Sequence, residues 1–260
     1  MTLKDKVALV TGRSRGIGRA TALRLGAQGA HVAVNFRKNE AAAQEVVKLI
    51  ESQGVKAVSI QADMEQPEEI RKMFEIVGEN FGHLDVLVLC AAVTAFRPIL
   101  ELKDYNIQRT FQIAVTGSIL AVQEAVKLMR WRNGKIVSVS AFGSFRTLPG
   151  YAVLGPAKAT RESLTKYLAC ELAPQGITVN CVCPGLVDTD SARFYGGEDY
   201  RNLERSLVEV TPKKRVGTPD DVAKVIAFLC SDDAEWICGQ TIVIDGGMTL
   251  TTPYLERPAS

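Results

Sequence analysis

Seven short runs rich in β-branched residues recur along the chain, and longer segments with helical periodicity separate them. The runs fall at 7–11, 31–35, 57–61, 84–89, 135–140, 178–182 and 241–244. The helical patterns fall near 17–28, 40–53, 67–81, 104–131, 156–173 and 219–230. The runs are apolar on both faces, so each strand must be covered on both sides. Strands of that kind, each followed by a helix, predict an α/β fold built on a parallel sheet. No repeat, low-complexity tract or linker interrupts the pattern, which predicts a single domain over residues 1–260. Two stretches deviate. Residues 188–216 are polar and charged and contain Gly196-Gly197, which reads as a mobile segment covering an active site, or else as a surface excursion. The tail after Thr249 carries two prolines and is expected to pack on a neighbouring subunit or to fray.

With 47% hydrophobic residues in 260, the chain can bury a large core. Its net charge of +2 gives no bulk drive toward nucleic acid or membrane. The six cysteines sit mostly in apolar runs, and Cys181-x-Cys183 lies on a strand pattern with no histidine near it. That is not metal-ligand spacing, so free thiols in a reducing compartment are expected, with no metal. The N-terminus runs straight into a strand and no apolar run approaches a membrane span, so a cytoplasmic protein is expected.

The first strand ends in Thr11-Gly12-Arg13-Ser14-Arg15-Gly16-Ile17-Gly18 and a helix follows at once. Glycines there allow a tight turn and a close approach of backbone to a pyrophosphate. The helix start then offers free N–H groups and a positive dipole end. Sheets that bind NAD place an acid after the second strand for the ribose 2′-hydroxyl. Here that place reads Asn35-Phe36-Arg37-Lys38, with Arg13 and Arg15 in the turn beside it. An uncompensated basic cluster suits a 2′-phosphate and predicts NADP. Ala62-Asp63 follow the third strand, where Asp63 either accepts from the adenine amine or starts a turn.

Together the Thr-Gly-x-x-x-Gly-x-Gly turn, a Tyr and Lys at 151 and 158, Val-Asn-x-Val-x-Pro184-Gly185 and the closing Gly-Gln-Thr-Ile-Val-Ile-Asp-Gly-Gly resemble the short-chain dehydrogenase/reductase superfamily over residues 4 to 249. The resemblance implies a Rossmann-type, doubly wound, seven-stranded parallel sheet with helices on both faces, and a homotetramer or a dimer. It also implies that Lys158 binds the nicotinamide ribose. Cys90, Ala91, Ala92, Pro184, Gly185, Val187 and Thr189 are implied to line the cofactor.

The chain departs from the superfamily's usual text. The common Asn-Asn-Ala-Gly after the fourth strand is Leu89-Cys90-Ala91-Ala92. The usual Asn before the fifth strand aligns with Gln112, the usual catalytic Ser with Ala141, and the usual Tyr with Leu154. Tyr151 stands seven residues before Lys158 instead. That Tyr-x6-Lys spacing, within Phe142-Gly-Ser-Phe-Arg146-Thr-Leu-Pro-Gly-Tyr151-Ala-Val-Leu-Gly155-Pro-Ala-Lys158, is similar to the enoyl-acyl-carrier-protein reductases, and most to the FabL type. Phe96-Arg97-Pro98 and Asp188-Thr189-Asp190 add to the likeness.

The spacing carries a physical consequence. Residues four apart on a helix share a face, whereas Pro156 fits the first turn and so places Tyr151 on the chain entering the helix. The expected chemistry is reduction of a trans-2-enoyl thioester by NADPH, with hydride passing to the β-carbon. Tyr151 then donates to the enolate oxygen, and Lys158 holds the ribose and eases the Tyr acidity downward. The acyl group rides on an acyl carrier protein or coenzyme A, and Lys213-Lys214-Arg215 is a candidate for meeting either. Ser140 is expected to be structural and Ser144 or Arg146 to touch ligand; His31 and His83 read as turn residues, and Trp131 and Trp236 as surface or packing aromatics. Two competing readings stand beside the first. One is a carbonyl reductase with Tyr151 substituting for the missing Tyr; the other is a nucleotide-binding scaffold without turnover.

Overall fold

The computed structural model describes residues 2–12, 15–130 and 132–250. Arg13, Ser14, Trp131 and the proline-containing tail lie outside the described residues.

Seven parallel strands form one sheet: β1 (Val7–Thr11), β2 (His31–Phe36), β3 (Ala57–Gln61), β4 (Val86–Leu89), β5 (Lys135–Val139), β6 (Thr178–Pro184) and β7 (Thr241–Ile244). Their order is β3-β2-β1-β4-β5-β6-β7. Alternate side chains of each strand serve opposite faces. On one face Ala8, Val10, Val32, Val34, Val86 and Val137 pack against helices α1 (Gly16–Ala27), α2 (Glu40–Glu51) and α9 (Pro219–Leu229). On the other, Val7, Leu9, Leu87, Ile136 and Val179 pack against α3 (Pro67–Phe81), α5 (Gly117–Met129) and α6 (Leu154–Leu172). Each fully buried Val, Leu or Ile contributes about 1.5–3 kcal/mol, which is why such runs sit in the sheet interior. The result is a Rossmann-type domain. From β3 the chain crosses to the far side of β1 to make β4, so the strand order reverses between β1 and β4. In open parallel sheets the crevice outside the carboxyl ends at such a switch point is where ligands bind.

Several boundaries differ from the sequence reading. The helical pattern at 104–131 is not one helix. It divides into α4 (Asp104–Phe111), a π-helical turn over Gln112–Thr116, and α5. A helical period alone does not distinguish a widened turn from a regular one. Helix α6 begins at Leu154, two residues before Pro156, because proline is tolerated within the first turn, where no N–H is needed. Tyr151 still lies outside it, and its carbonyl accepts from Gly155 N at 2.8 Å. The polar stretch 188–216 is folded into α7 (Asp190–Gly196) and α8 (Tyr200–Val210), with a 3₁₀ turn over Gly197–Asp199 between them. Thr189 caps α7 by accepting from Ala192 N at 3.1 Å.

Candidate active site

The loops after β1, β4, β5 and β6 meet at the switch point. Thr11 ties two of them together: its hydroxyl faces the N–H groups of Cys90 (3.2 Å) and Ala91 (3.4 Å) and the Val88 carbonyl (3.4 Å). Gly12 follows with φ +68°, a backbone region L side chains rarely adopt, and a Cβ there would lie 2.6 Å from the Ala91 Cα. Asn35, buried at the end of β2, accepts from Gly12 N at 3.2 Å and donates to the Ala62 carbonyl at 3.0 Å. The residue in the acid's usual place is thus a strap between the first turn and the end of β3. Gly12→Ala is expected to lower stability by about 2 kcal/mol or more, combining left-handed strain with overlap. Gly54→Ala, at φ +85° with nothing near its Cβ, should cost the strain alone. Thermal unfolding of the two variants separates the terms, and only Gly12→Ala should also weaken dinucleotide binding.

Helix α1 starts behind this turn with Arg15 in extended backbone, no side-chain cap and no acid in its first turn. Among the described residues no side chain accepts from the N–H groups of Gly16, Ile17 and Gly18, an arrangement that suits a pyrophosphate. Thr189 stands beside them: its methyl lies 3.2 Å from where a Gly16 Cβ would be. Gly185, after Pro184 at the end of β6, donates to Ile244 O at 3.0 Å and backs onto Asp245. Val187 is buried and bridges to Gly217. The glycine turn, the loops after β4 and β6 and the start of α7 are therefore neighbours, as a dinucleotide spanning the crevice requires.

The basic cluster is only partly free. Arg37 lies 3.6 Å from Asp63, and Asp63 Oδ1 accepts from Glu65 N at 3.1 Å. Asp63 thus starts a turn, because a short carboxylate reaches its own backbone two residues on. The expectation of an uncompensated cluster is corrected at Arg37, while Arg15 and Lys38 are exposed.

Lys158 is buried on α6 and donates to the Val139 carbonyl at 2.6 Å. Burial, followed by the nearby Arg161 cation, pulls its amine down to about 7. Tyr151 is arranged differently from expectation. Its ring lies against Gly143, where a Cβ would come within 2.6 Å of the Tyr151 Cε1. It stacks on Phe96 at 5.7 Å and meets Tyr195 edge-on at 5.8 Å. Its hydroxyl has no hydrogen bond to a described residue. Burial pushes the phenol well above its ordinary range, and the neighbouring Tyr195 and Cys183 push it the same way. The expected easing of its acidity by Lys158 is not what the geometry gives: the lysine is engaged with Val139, and its own charge is weakened by burial. Tyr151 is a phenol that holds its proton, which suits a hydrogen-bond donor.

Helix α7 supplies Tyr195, whose ring is 4.8 Å from Phe96 and whose hydroxyl donates to the Pro149 carbonyl at 2.9 Å. Phe194 follows at 6.2 Å from Phe96. This aromatic cover was legible only as a segment and not as residues. Leu154 is buried at the head of α6, and Ala141 is extended after β5, so neither the usual Tyr nor the usual Ser hydroxyl is present. Ser140 and Ser144 both donate to Glu162 Oε1, each at 2.5 Å, which ties the loop after β5 to α6. Arg146 reaches back to the Thr249 carbonyl at 2.8 Å. Gln112 does not reach Lys158; its amide donates to the Glu65 carbonyl at 3.3 Å, and the π-turn brings Ala114 O to face α6 instead.

Arg161 was not singled out from the sequence. It is buried on α6, and its donors engage the loop after β4, the π-turn and β5. Its spacing of three from Lys158 was the available signal, because that puts both on one helix face. Farther out, Arg215 pairs with Asp221 at 2.7 Å and Lys214 donates to Glu209 O at 2.7 Å, which leaves Lys213 as the freest cation of that trio. His31 accepts from Lys56 N, His83 pairs with Asp85 at 3.2 Å, and Trp236 is exposed. Among the described residues no cluster of metal-ligating side chains occurs, and no helix is long and apolar enough to cross a membrane.

A family model described as Enoyl-(Acyl carrier protein) reductase matches residues 12–249. The chain belongs to the short-chain dehydrogenase/reductase superfamily. It is an oxidoreductase of that superfamily. It is 41% identical to a 1-cyclohexenylcarbonyl-CoA reductase of Streptomyces collinus, over 96% of this chain and 89% of that one. It is 37% identical to the 3-oxoacyl-[acyl-carrier-protein] reductase FabG of Staphylococcus epidermidis, over 94% and 99% of the two chains. Among solved structures, a short-chain dehydrogenase from Burkholderia cenocepacia in complex with NADP superposes with a TM-score of 0.89 at 36% identity, covering 96% of this chain and 100% of that one.

Proposed function

We propose that this reductase uses NADPH to reduce the C=C bond of a trans-2-enoyl thioester. The observation that carries the reading is that positions 154 and 141 hold Leu and Ala, which leaves Tyr151, protonated and roofed by Phe96 and Tyr195, as the phenol beside the crevice. The identity to a 1-cyclohexenylcarbonyl-CoA reductase supports a conjugated acyl thioester. The absence of an acid at Asn35, with Arg15 and Lys38 exposed nearby, supports NADP, as does the NADP complex of the Burkholderia relative.

The dinucleotide would lie with its pyrophosphate on the start of α1 and its nicotinamide end near Pro184-Gly185 and Lys158. When bound, it supplies the hydride that reaches the β-carbon. Tyr151 donates its O–H to the thioester oxygen as negative charge grows there, and a neutral phenol in a partly dehydrated site is a strong donor for that purpose. Lys158 has donor capacity beyond its bond to Val139 and would direct it to the ribose hydroxyls of a bound dinucleotide. The α-carbon takes its proton from Tyr151 or from a water relayed through Lys158. The rings of Phe96, Tyr195 and Phe194 exclude water from the acyl group, so α7 and α8 act as the substrate cover. Lys213 would meet the phosphates of coenzyme A or an acidic carrier protein.

The identity to FabG favours a second reading, reduction of a 3-oxoacyl group, in which Tyr151 donates to a ketone oxygen. Oxidation of NADPH and of NADH with crotonyl-CoA, acetoacetyl-CoA and a simple ketone separates the two. NADPH oxidation with crotonyl-CoA at least tenfold faster than with acetoacetyl-CoA is expected. The reverse order would replace the enoyl reading by the carbonyl one.

A further inference from the structure

Arg161 is 2% exposed and forms no ion pair with any described carboxylate. Guanidinium carries five N–H donors, and here all five are used. Nε donates to Ala114 O at 2.7 Å, Nη1 to Leu89 O and Val139 O at 3.1 Å each, and Nη2 to Ala91 O at 2.6 Å and Ser118 Oγ at 3.0 Å. Four of those acceptors are backbone carbonyls, drawn from the end of β4, the loop after it, the π-turn and the end of β5. The Val139 carbonyl is the one Lys158 also uses. A cation buried without a counter-ion is costly, and two such cations three residues apart on one buried helix face are more so. Packing alone does not call for a charge here, since an apolar side chain would fill much of the same volume without burying one.

We propose that Arg161 is the positioning residue of the site: its guanidinium clamps the Cys90–Ala92 loop, the π-turn and β5 into one floor, and holds a fixed positive charge next to Lys158. The floor matters because the loop after β4 lines the crevice and has lost the side-chain amides of the superfamily's usual Asn-Asn; the guanidinium supplies from below the hydrogen bonds that hold its backbone. The charge matters because it disfavours a second positive charge at Lys158. Burial first, and then that charge, keep the lysine near neutrality between protonated and free, able to take and pass a proton. The groups facing Lys158 are Arg161 on its own helix, Cys181 and Cys183 on β6, and Cys90 after β4. Burial keeps the thiols of Cys181 and Cys183 protonated, so Arg161 is the full charge among them.

The turnover part of the test rests on the enoyl reading; the titration part does not. Unfolding free energy is measured against pH from 6 to 8.5 for wild type, Lys158→Met, Arg161→Gln and Arg161→Lys, and the pH dependence lost in Lys158→Met reports the Lys158 midpoint. Arg161→Gln is expected to raise the proton affinity of Lys158 at least tenfold, to lower kcat with crotonyl-CoA about a hundredfold by loosening the floor, and to change the dissociation constant for NADPH less than tenfold. Arg161→Lys keeps the charge but serves fewer acceptors, so kcat should fall about tenfold. A Lys158 midpoint unmoved in Arg161→Gln, with kcat within threefold of wild type, would overturn the proposal. Should Arg161→Gln not fold, wild-type kcat in Arg161→Lys overturns it and the tenfold loss supports it. Absence of crotonyl-CoA turnover in the wild type would count against the enoyl reading alone; kcat is then read on whichever substrate of the panel is turned over.

Discussion

Tyr151→Phe is expected to lower kcat on crotonyl-CoA by about 10²–10³-fold, the loss seen when one donor to a developing oxyanion is removed. The substitution deletes an oxygen that makes no hydrogen bond to a described residue, and it leaves the ring where it stacks on Phe96 and rests on Gly143. Stability should therefore change little, and the dissociation constant for NADPH should stay within a few-fold. That separation is the useful part of the experiment. A phenol whose pKa is raised by burial acts by donating, so its removal should appear in kcat more than in KM. Steady-state kinetics beside a direct NADPH titration read both. Turnover within threefold of wild type would remove Tyr151 from the mechanism and shift attention to Tyr195, the neighbouring phenol. Tyr195 now spends its hydroxyl on the Pro149 carbonyl.

Lys158→Met should abolish nearly all turnover and weaken NADPH binding by at least tenfold, since the ribose loses its donor and the relay loses its amine. The same variant makes a claim about pH and stability. Lys158 in the folded protein titrates near 7, whereas an unfolded lysine titrates near 10.4. Between those values the unfolded chain binds a proton that the folded one does not, so stability rises with pH. The rise begins near pH 7 and amounts to about 1.4 kcal/mol per pH unit at most. Above about pH 8.5 the buried thiols oppose it. Cys183 is pushed up to about 12 and Cys181 and Cys230 upward by burial, so the folded state keeps protons that unfolded thiols release. Lys135, also pulled down by burial, adds to the slope with the same sign, so from about 7 to 8.5 it is the difference between wild type and Lys158→Met that reads Lys158. Lys158→Met should rise less steeply there than wild type, as read by urea unfolding at three pH values. A wild-type slope of zero across that window would show that the amine stays charged in the folded protein.

The alternation of apolar runs and helical patterns was enough to place all seven strands and to imply their parallel arrangement, because a strand apolar on both faces has no other stable setting. Local chemistry also made the first turn legible. Glycines before a helix with neither acid nor cap can be read one residue at a time. So could the position of Tyr151 ahead of α6, while the resemblance to the superfamily is what marked the hydroxyls at 141 and 154 as missing. These are properties of a residue and its near neighbours along the chain.

What stayed out of reach depended on groups far apart in sequence. Asn35 reads as a polar strand residue until Gly12 and Ala62 are seen on either side of it. Arg37 reads as a free cation until Asp63 closes on it. The stretch 188–216 reads as mobile because its apolar residues are few. Tyr195 and Phe194 nevertheless fold over Phe96 and Tyr151, about 45 to 100 residues away in the chain. Tyr151 and Lys158 look like a coupled pair by spacing, yet one is held by rings and the other by the Val139 carbonyl. The acidity of a buried group depends on what surrounds it in three dimensions, and no spacing rule contains that. Arg161 marks the boundary best. Helical periodicity puts it on the buried face of α6 beside Lys158, and that much the sequence determined by itself. Only the tertiary structure decided what a buried cation does there. The four carbonyls it joins come from chain segments that meet only once the sheet is assembled.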